Sequence, residues 1–335
     1  MHSPDVTFVL TGEANLAALR HLDPDRDWQE FVTGERAWIL QTYLRLRAVG
    51  APVELADTIP REGVAVFGSK QRQALRTIAS RGRSSILVGV RADVGEALIA
   101  DFEIVQNRQQ ADGARRFFIP HWPQPGLIAR AQARGTRIEN VAFKGFSGNL
   151  HEAFAGIEWR DWLNANGMHW ISDAVQYSKT DTSGAGLNWN DFREIDLVLA
   201  VRPPRKDLYP RKPATKLYNA WRANVPALLG PEIAYRELRQ SPLDYVEIAD
   251  AADARASIER LRREPRLFEQ MVANGATRAA EFSPGTIASA WTRLLFDELP
   301  RLSDAPHVRR WRGRSLLAKE IARRAARVLR PSGSG

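Results

Sequence analysis

The sequence predicts an α/β protein with two domains, each a parallel sheet flanked by helices, facing each other across a cleft and closed by C-terminal helices. Three observations carry this expectation. Short apolar, β-branched runs alternate with amphipathic helical patterns, the arrangement that builds parallel sheets. The alternation occurs twice, on either side of a stretch rich in Gln, Arg, Gly and Pro that is centred on Pro120-His-Trp-Pro-Gln-Pro125. The chain has 335 residues, more than one domain usually holds.

The first alternation starts with the apolar run Val6–Leu10 and its turn Thr11-Gly12-Glu13-Ala14-Asn15. Gly34-Glu35 opens a long helix through Ala37, Leu40, Tyr43 and Leu44, and Gly50 ends it. Pro52–Leu55, Gly63–Phe67, Ser85–Val90 and Phe102–Val105 read as strands, and Lys70–Ile78 as a helix. This domain spans 1–115, and a linker follows over 116–135. The second domain, 136–300, begins with a strand at Val141–Gly145, a helix at Ala153–Asn164 and a short strand at His169–Ile171. A polar loop, Ser172–Asn190, precedes Ile195–Val201, the most continuous apolar strand in the chain. Tyr245–Ile248 is the last strand, and helices cover Ala254–Arg263, Arg266–Glu281 and Pro284–Leu299.

Between those strands lies Pro213-Ala-Thr-Lys-Leu-Tyr-Asn-Ala-Trp-Arg-Ala-Asn-Val-Pro-Ala-Leu-Leu-Gly-Pro231. Pro213 and Thr215 suit a helix start, with the Thr215 hydroxyl as cap. Leu217, Ala220 and Trp221 share one apolar face, Asn224 can end the helix in the left-handed conformation, and Val225–Leu229 reads as a strand. A lysine in the first turn, beside unpaired N–H groups and the positive dipole end, suits an anion; a solvated lysine on an ordinary αβ unit is the alternative. Ligands of open parallel sheets lie at the carboxyl ends of the strands. In the second domain Lys144-Gly145, Arg202 and the Lys216 helix stand there, a set suited to a diphosphate.

Composition limits the function classes. Cysteine is absent, which excludes disulfides and thiolate metal sites and is compatible with a reducing compartment. No basic segment followed by an apolar core stands at the N-terminus, so no signal peptide is expected, and no apolar run is long enough to span a bilayer. The net charge is +9, but nine basic residues and one acid fall between His307 and Arg330, so the excess belongs to the tail. Leu316, Leu317, Ile321, Val328 and Leu329 fall on one side of that tail and arginines on the other, the pattern of an interfacial helix on an anionic membrane. A solubilising tail is the alternative. Trp311 alone offers stacking, which does not favour nucleic acid. Asp23-Pro-Asp25 and Asp25-Arg-Asp27 read as a polar turn, and Gly63-x4-Gly68-Ser69-Lys70 reverses the Lys-Ser order of a phosphate-binding loop. The six histidines have no paired spacing, so no metal site is expected.

The segment Lys212–Gly230 resembles the donor-binding segment of GT-B glycosyltransferases, which carry a Glu-Ala-Met-Ala-x-Gly-Val-Pro helix before a strand. Asn219-Ala-Trp-Arg-Ala-Asn-Val-Pro226 takes that place. Lys216-Leu-Tyr-Asn-Ala220 is also similar to a Lys-Leu-x-Asn-Ala segment of α1,3-fucosyltransferases. Val141-Ala-Phe-Lys-Gly145, Asp244-Tyr-Val-Glu-Ile248 and Arg266–Leu295 extend the likeness over residues 118–300. The resemblance implies two Rossmann-like domains, the first for acceptor and the second for donor. It implies transfer of a sugar from a nucleoside-diphosphate sugar to a glycan or lipid-linked acceptor, without metal or other cofactor, in the cytoplasm or on the inner membrane face. It assigns Lys216, Arg202 and Gly145 to the donor diphosphate, and Asn219 with Thr215 to the ribose or sugar. Asp93 and Glu13, on carboxyl-end loops of the first domain, become candidates for a general base, with helix capping the alternative for Asp93. Arg211 and Asn219 stand where retaining relatives carry Glu-x7-Glu, and Phe146 and Asn149 where an Arg and Lys pair often follows the glycine. Retention or inversion therefore stays open, as do a nucleotide-sugar epimerase and an inactive sugar-nucleotide binder.

Overall fold

A computed structural model describes residues 5–32, 34–71, 85–96, 100–176 and 187–303. The expected helix beyond Gln71 and the basic tail lie outside the described residues.

Strands β1 (Val6–Val9), β2 (Val53–Ala56), β3 (Val64–Gly68), β4 (Ile86–Val90), β5 (Phe102–Val105) and β6 (Arg116–Phe118) make the first sheet in the order β2-β1-β3-β4-β5-β6. Every pairing is parallel, with Phe8 opposite Val66 and Val66 opposite Val88. Strand β6 lies in the stretch expected to be linker. It adds an edge strand because Phe117 and Phe118 pair with Ile104 and Val105. The second sheet holds β7 (Asn140–Phe146), β8 (His169–Val175), β9 (Leu197–Ala200), β10 (Ala227–Leu229) and β11 (Val246–Glu247) in the order β11-β10-β9-β7-β8, again all parallel. Both central strands, β3 and β9, are buried on both faces, which explains why they read as continuous apolar runs. Strand β8 runs four residues past its expected end, to Val175, because all seven residues of β7 pair with it.

Two cores result. The second-domain core gathers Phe143, Trp159, Leu199, Leu217, Trp221 and Phe268. The first holds Phe8, Tyr43, Val66 and Ile104, and also Ile287, Trp291, Leu294 and Leu299. The last helices therefore return to the first domain: helix Pro284–Thr292 and its continuation pack on the first sheet, with Trp291 6.2 Å from Phe8. This departs from their expected place with the donor domain. Their periodicity marks an apolar face without naming the sheet that it covers. Ser283 starts this helix by accepting the Thr286 N–H.

The linker is fastened at both ends. Trp122 Nε1 donates to Thr42 Oγ1 in the first domain at 2.8 Å, and the Gln124 N–H donates to Asn219 Oδ1 in the second at 2.8 Å. Farther along the junction, the Glu237 carboxylate accepts the N–H groups of Arg108 and Gln109. Trp291→Ala, which removes a ring 3% exposed, should destabilise the first domain by about 3–5 kcal/mol in chemical denaturation followed by circular dichroism. A loss below about 1 kcal/mol would contradict this packing.

Candidate active site

The cleft between the sheets is a cavity of about 750 Å³ lined by both domains, within the range of small-molecule sites. On the second-domain side its wall is built from the carboxyl ends of β7 and β9 and the helix Thr215–Ala223. Lys144, opposite Asp173 in the β7–β8 register, turns its Nζ to that carboxylate at 2.5 Å and to the Asn188 carbonyl at 2.6 Å. Its own carbonyl accepts the Lys216 Nζ at 2.5 Å. The next residue, Gly145, has φ +151°, and a β-carbon there would fall 2.8 Å from the Lys216 Nζ. Glycine thus leaves the room through which the lysine reaches the strand end. The ammonium also sits over the Phe143 ring, 4.6 Å from its centre.

Lys216 has no carboxylate partner among the described residues. Burial, and then the nearby Arg202 charge, pull its pKa down to about 7, with Glu232 opposing. Arg202 follows β9 and is held from two sides: its Nε donates to Glu232 Oε2 at 2.9 Å, and its Nη1 donates to Asn149 Oδ1. Burial works against the Arg202 charge, but Glu232 outweighs it and holds the pKa above the ordinary value. Glu232 is itself nearly buried, which raises its pKa against the pull of Arg202. Its Oε1 has no hydrogen-bond partner among the described residues.

Thr215 and Asn219 line the same cavity. Thr215 does not cap its helix as expected. Ala214 occupies the cap position, and Thr215 is already inside the first turn. Asn224 does take the left-handed conformation at the far end, with φ +57°. Asn219 spends its oxygen on the linker N–H of Gln124.

On the first-domain side, Asp93 lines the cleft but is clamped across it by Lys212 at 2.5 Å, with Lys70 at 3.8 Å. Burial raises its pKa, yet the Lys212 hydrogen bond and charge outweigh burial and leave it below the ordinary value. Glu13 stands outside the cavity lining, and its carboxylate binds the Arg36 guanidinium at 2.6 and 2.8 Å. The structure thus brings Lys216, Arg202, Gly145, Asn219, Thr215 and Asp93 together and leaves Glu13 apart. The Asp23–Asp27 segment is a turn closed on itself: Asp23 accepts the N–H groups of Asp25 and Arg26, and Asp25 pairs with Arg45. No group of side chains suited to a metal ion occurs among the described residues.

Glu35, Gln41 and Glu232 were not singled out from the sequence, whereas His121 reads there as a residue that packs in the hinge. Glu35 lines the cavity, and burial raises its pKa, with Gln71 and Lys70 opposing. Gln41 is fully buried there, and neither amide atom has a partner among the described residues. His121 stands edge-on to Trp38, 3.8 Å between ring centres. Its Nδ1 lies 2.6 Å from the Trp122 carbonyl, and burial pulls its pKa down to about 4. Glu232 follows β10 by three residues and could have been found as a carboxyl-end acid.

No protein-family model matches the chain, and no curated protein matches it in sequence. Solved structures do match its architecture. HepE of Anabaena, crystallised with UDP-glucose, is 15% identical with a TM-score of 0.52, covering 87% of this chain and 99% of HepE. The chain has the GT-B fold. The GtfA/B complex (11% identity, TM-score 0.50) and Staphylococcus aureus TarM (10% identity, TM-score 0.50) match 79% and 77% of the GT-B chain described here. That chain spans about 60% of the length of each. The α1,3-fucosyltransferase likeness has no counterpart among these neighbours. In this GT-B chain no helix of the described residues is long and apolar enough to cross a membrane.

A lysine with a lowered folded pKa costs stability wherever the unfolded chain holds the proton and the folded chain resists it. That cost is complete below about pH 7 and is relieved as pH rises towards 10.5. Wild type should therefore gain stability relative to Lys216→Met across that interval in urea titrations and show a constant difference below it. A difference that does not change with pH would contradict the desolvated amine.

Proposed function

We propose that this chain is a glycosyltransferase that moves a sugar from a nucleoside-diphosphate sugar to a hydroxyl of a glycan or lipid-linked acceptor. One observation carries the reading: Lys216 and Arg202 converge at strand ends in a cleft shared by two αβ domains, with Glu232 engaged by Arg202 alone of the two among the described residues. Transfer breaks the bond between the anomeric carbon and the β-phosphate, and negative charge grows on the leaving diphosphate. Preorganised cations in a partly dry site stabilise that charge more in the transition state than in the ground state. Arg202, with its planar fork fixed by Asn149 and Glu232, suits phosphate oxygens. Lys216 gains a full charge when an anion arrives, because the anion offsets its desolvation. That Asn219 and Thr215, one turn apart on the same helix, line the same cavity supports a role for them at the ribose or sugar hydroxyls. That HepE and TarM were crystallised with UDP or UDP-glucose supports a nucleotide of this class.

Binding to a panel of UDP-, GDP- and dTDP-sugars, followed by calorimetry with and without EDTA, tests the proposal. At least one should bind, independently of EDTA, and Lys216→Ala should weaken it tenfold or more, about 1.4 kcal/mol. No binding to any member would overturn the reading. Epimerised sugar in place of released nucleotide would point to an epimerase.

A further inference from the structure

Two carboxylates reach the cleft from the first domain, and their surroundings push them apart. Asp93 is held by Lys212 and approached by Lys70, so its proton affinity is low. Glu35 is seated differently. Its carboxylate lies on the end of β3, where a β-carbon at Gly68 would fall 1.7 Å from Oε2. Among the described residues only Gln71 bonds it, at 3.4 Å, while the same amide donates to the Val9 carbonyl at 2.7 Å. No cation is within salt-bridge distance of Glu35 among the described residues. The glycine at position 68 therefore serves to let a carboxylate rest on the strand end, facing the cleft.

The same stretch of chain supplies a wall beside that carboxylate. Trp38, one turn on, presents its ring to the cleft and is braced by His121. Gln41, one turn further, is buried, and neither its amide donor nor its acceptor has a partner among the described residues. Thr42 fixes both aromatic neighbours, donating to the Trp38 carbonyl and accepting from Trp122 Nε1. An aromatic face next to an unpaired amide matches a pyranose ring, which has apolar C–H faces and equatorial hydroxyls.

We propose that Glu35 is the catalytic base, and that it takes the proton from a hydroxyl of a sugar acceptor whose ring lies against Trp38 and whose neighbouring hydroxyl bonds to Gln41. This rests on the glycosyltransferase reading. The acceptor oxygen forms its bond to the anomeric carbon as the bond to the β-phosphate breaks, and that electron pair leaves with the diphosphate beside Arg202 and Lys216. The hydroxyl proton passes to Glu35 and then to solvent, so donor and acceptor give glycoside, nucleoside diphosphate and one proton. Attack from the first-domain side, opposite the leaving group, inverts the anomeric centre. Raised basicity suits Glu35 to this step better than Asp93, and His121 is a weaker base than either role needs.

The test uses the nucleotide sugar that binds best in the panel, with methyl glucoside, galactoside and mannoside as added acceptors. Nucleoside-diphosphate release and the product's anomeric configuration are followed. Glu35→Gln should keep the donor Kd within twofold, which shows that it folds, and lose about 10²–10⁴-fold in turnover. Glu35→Asp should recover part of that loss, and Asp93→Asn should cost less than Glu35→Gln. Gln41→Leu should raise the methyl hexoside KM tenfold or more. Turnover of Glu35→Gln within tenfold of wild type would overturn the base, leaving the donor reading intact if the Kd holds. A wild type that binds donor but turns over with no methyl hexoside would overturn the acceptor class.

Discussion

Two cations crowd the carboxyl end of one sheet, and the charge between them is only partly offset. Arg202 takes Glu232, which leaves the Lys216 ammonium with a carbonyl, an aromatic face and a like-charged neighbour. Holding such a group away from water costs stability, and proteins keep it where an anion arrives to complete the set. Much of the second domain serves this arrangement. Gly145 makes space for the lysine, the Lys144 carbonyl accepts it while the Lys144 side chain turns to Asp173, and Asn149 fixes the guanidinium plane. The short helix that delivers Lys216 is itself held by Leu217, Trp221 and the helix Pro265–Glu281 behind it.

The first domain matters because it faces this charge without neutralising it. Its cleft residues are a clamped aspartate, a less constrained glutamate, a buried amide and an aromatic wall. The linker keeps the two walls in register through Trp122 on one side and Gln124 on the other, and the last helices tie the end of the second domain back to the first sheet. Lys212 spans the cleft to Asp93, so the two domains meet through charge as well as through packing.

The sequence made one wall of this cleft legible and hid the other. Lys216, Arg202 and Gly145 could be found because each follows from a local rule: a helix start, a strand end, a glycine after a strand. The two-domain α/β plan was visible for the same reason, since burial on both faces writes central strands as continuous apolar runs. Glu35 was passed over because an acid beside a glycine reads as an ordinary helix start. Its environment depends on Gly68 and Gln71, more than thirty residues away. Glu13 looked better placed by its glycine and strand, but Arg36 engages it outside the cavity. Helix Pro284–Thr292 shows the same limit, because an apolar stripe specifies that a face is buried and not which core receives it.

A crystal structure of the protein with a nucleoside diphosphate tests the central claim most directly. The account predicts diphosphate oxygens within hydrogen-bonding distance of both the Arg202 guanidinium and the Lys216 ammonium, with the Gly145 N–H turned towards them. A diphosphate bound elsewhere, with Arg202 and Lys216 keeping their present partners, would contradict it.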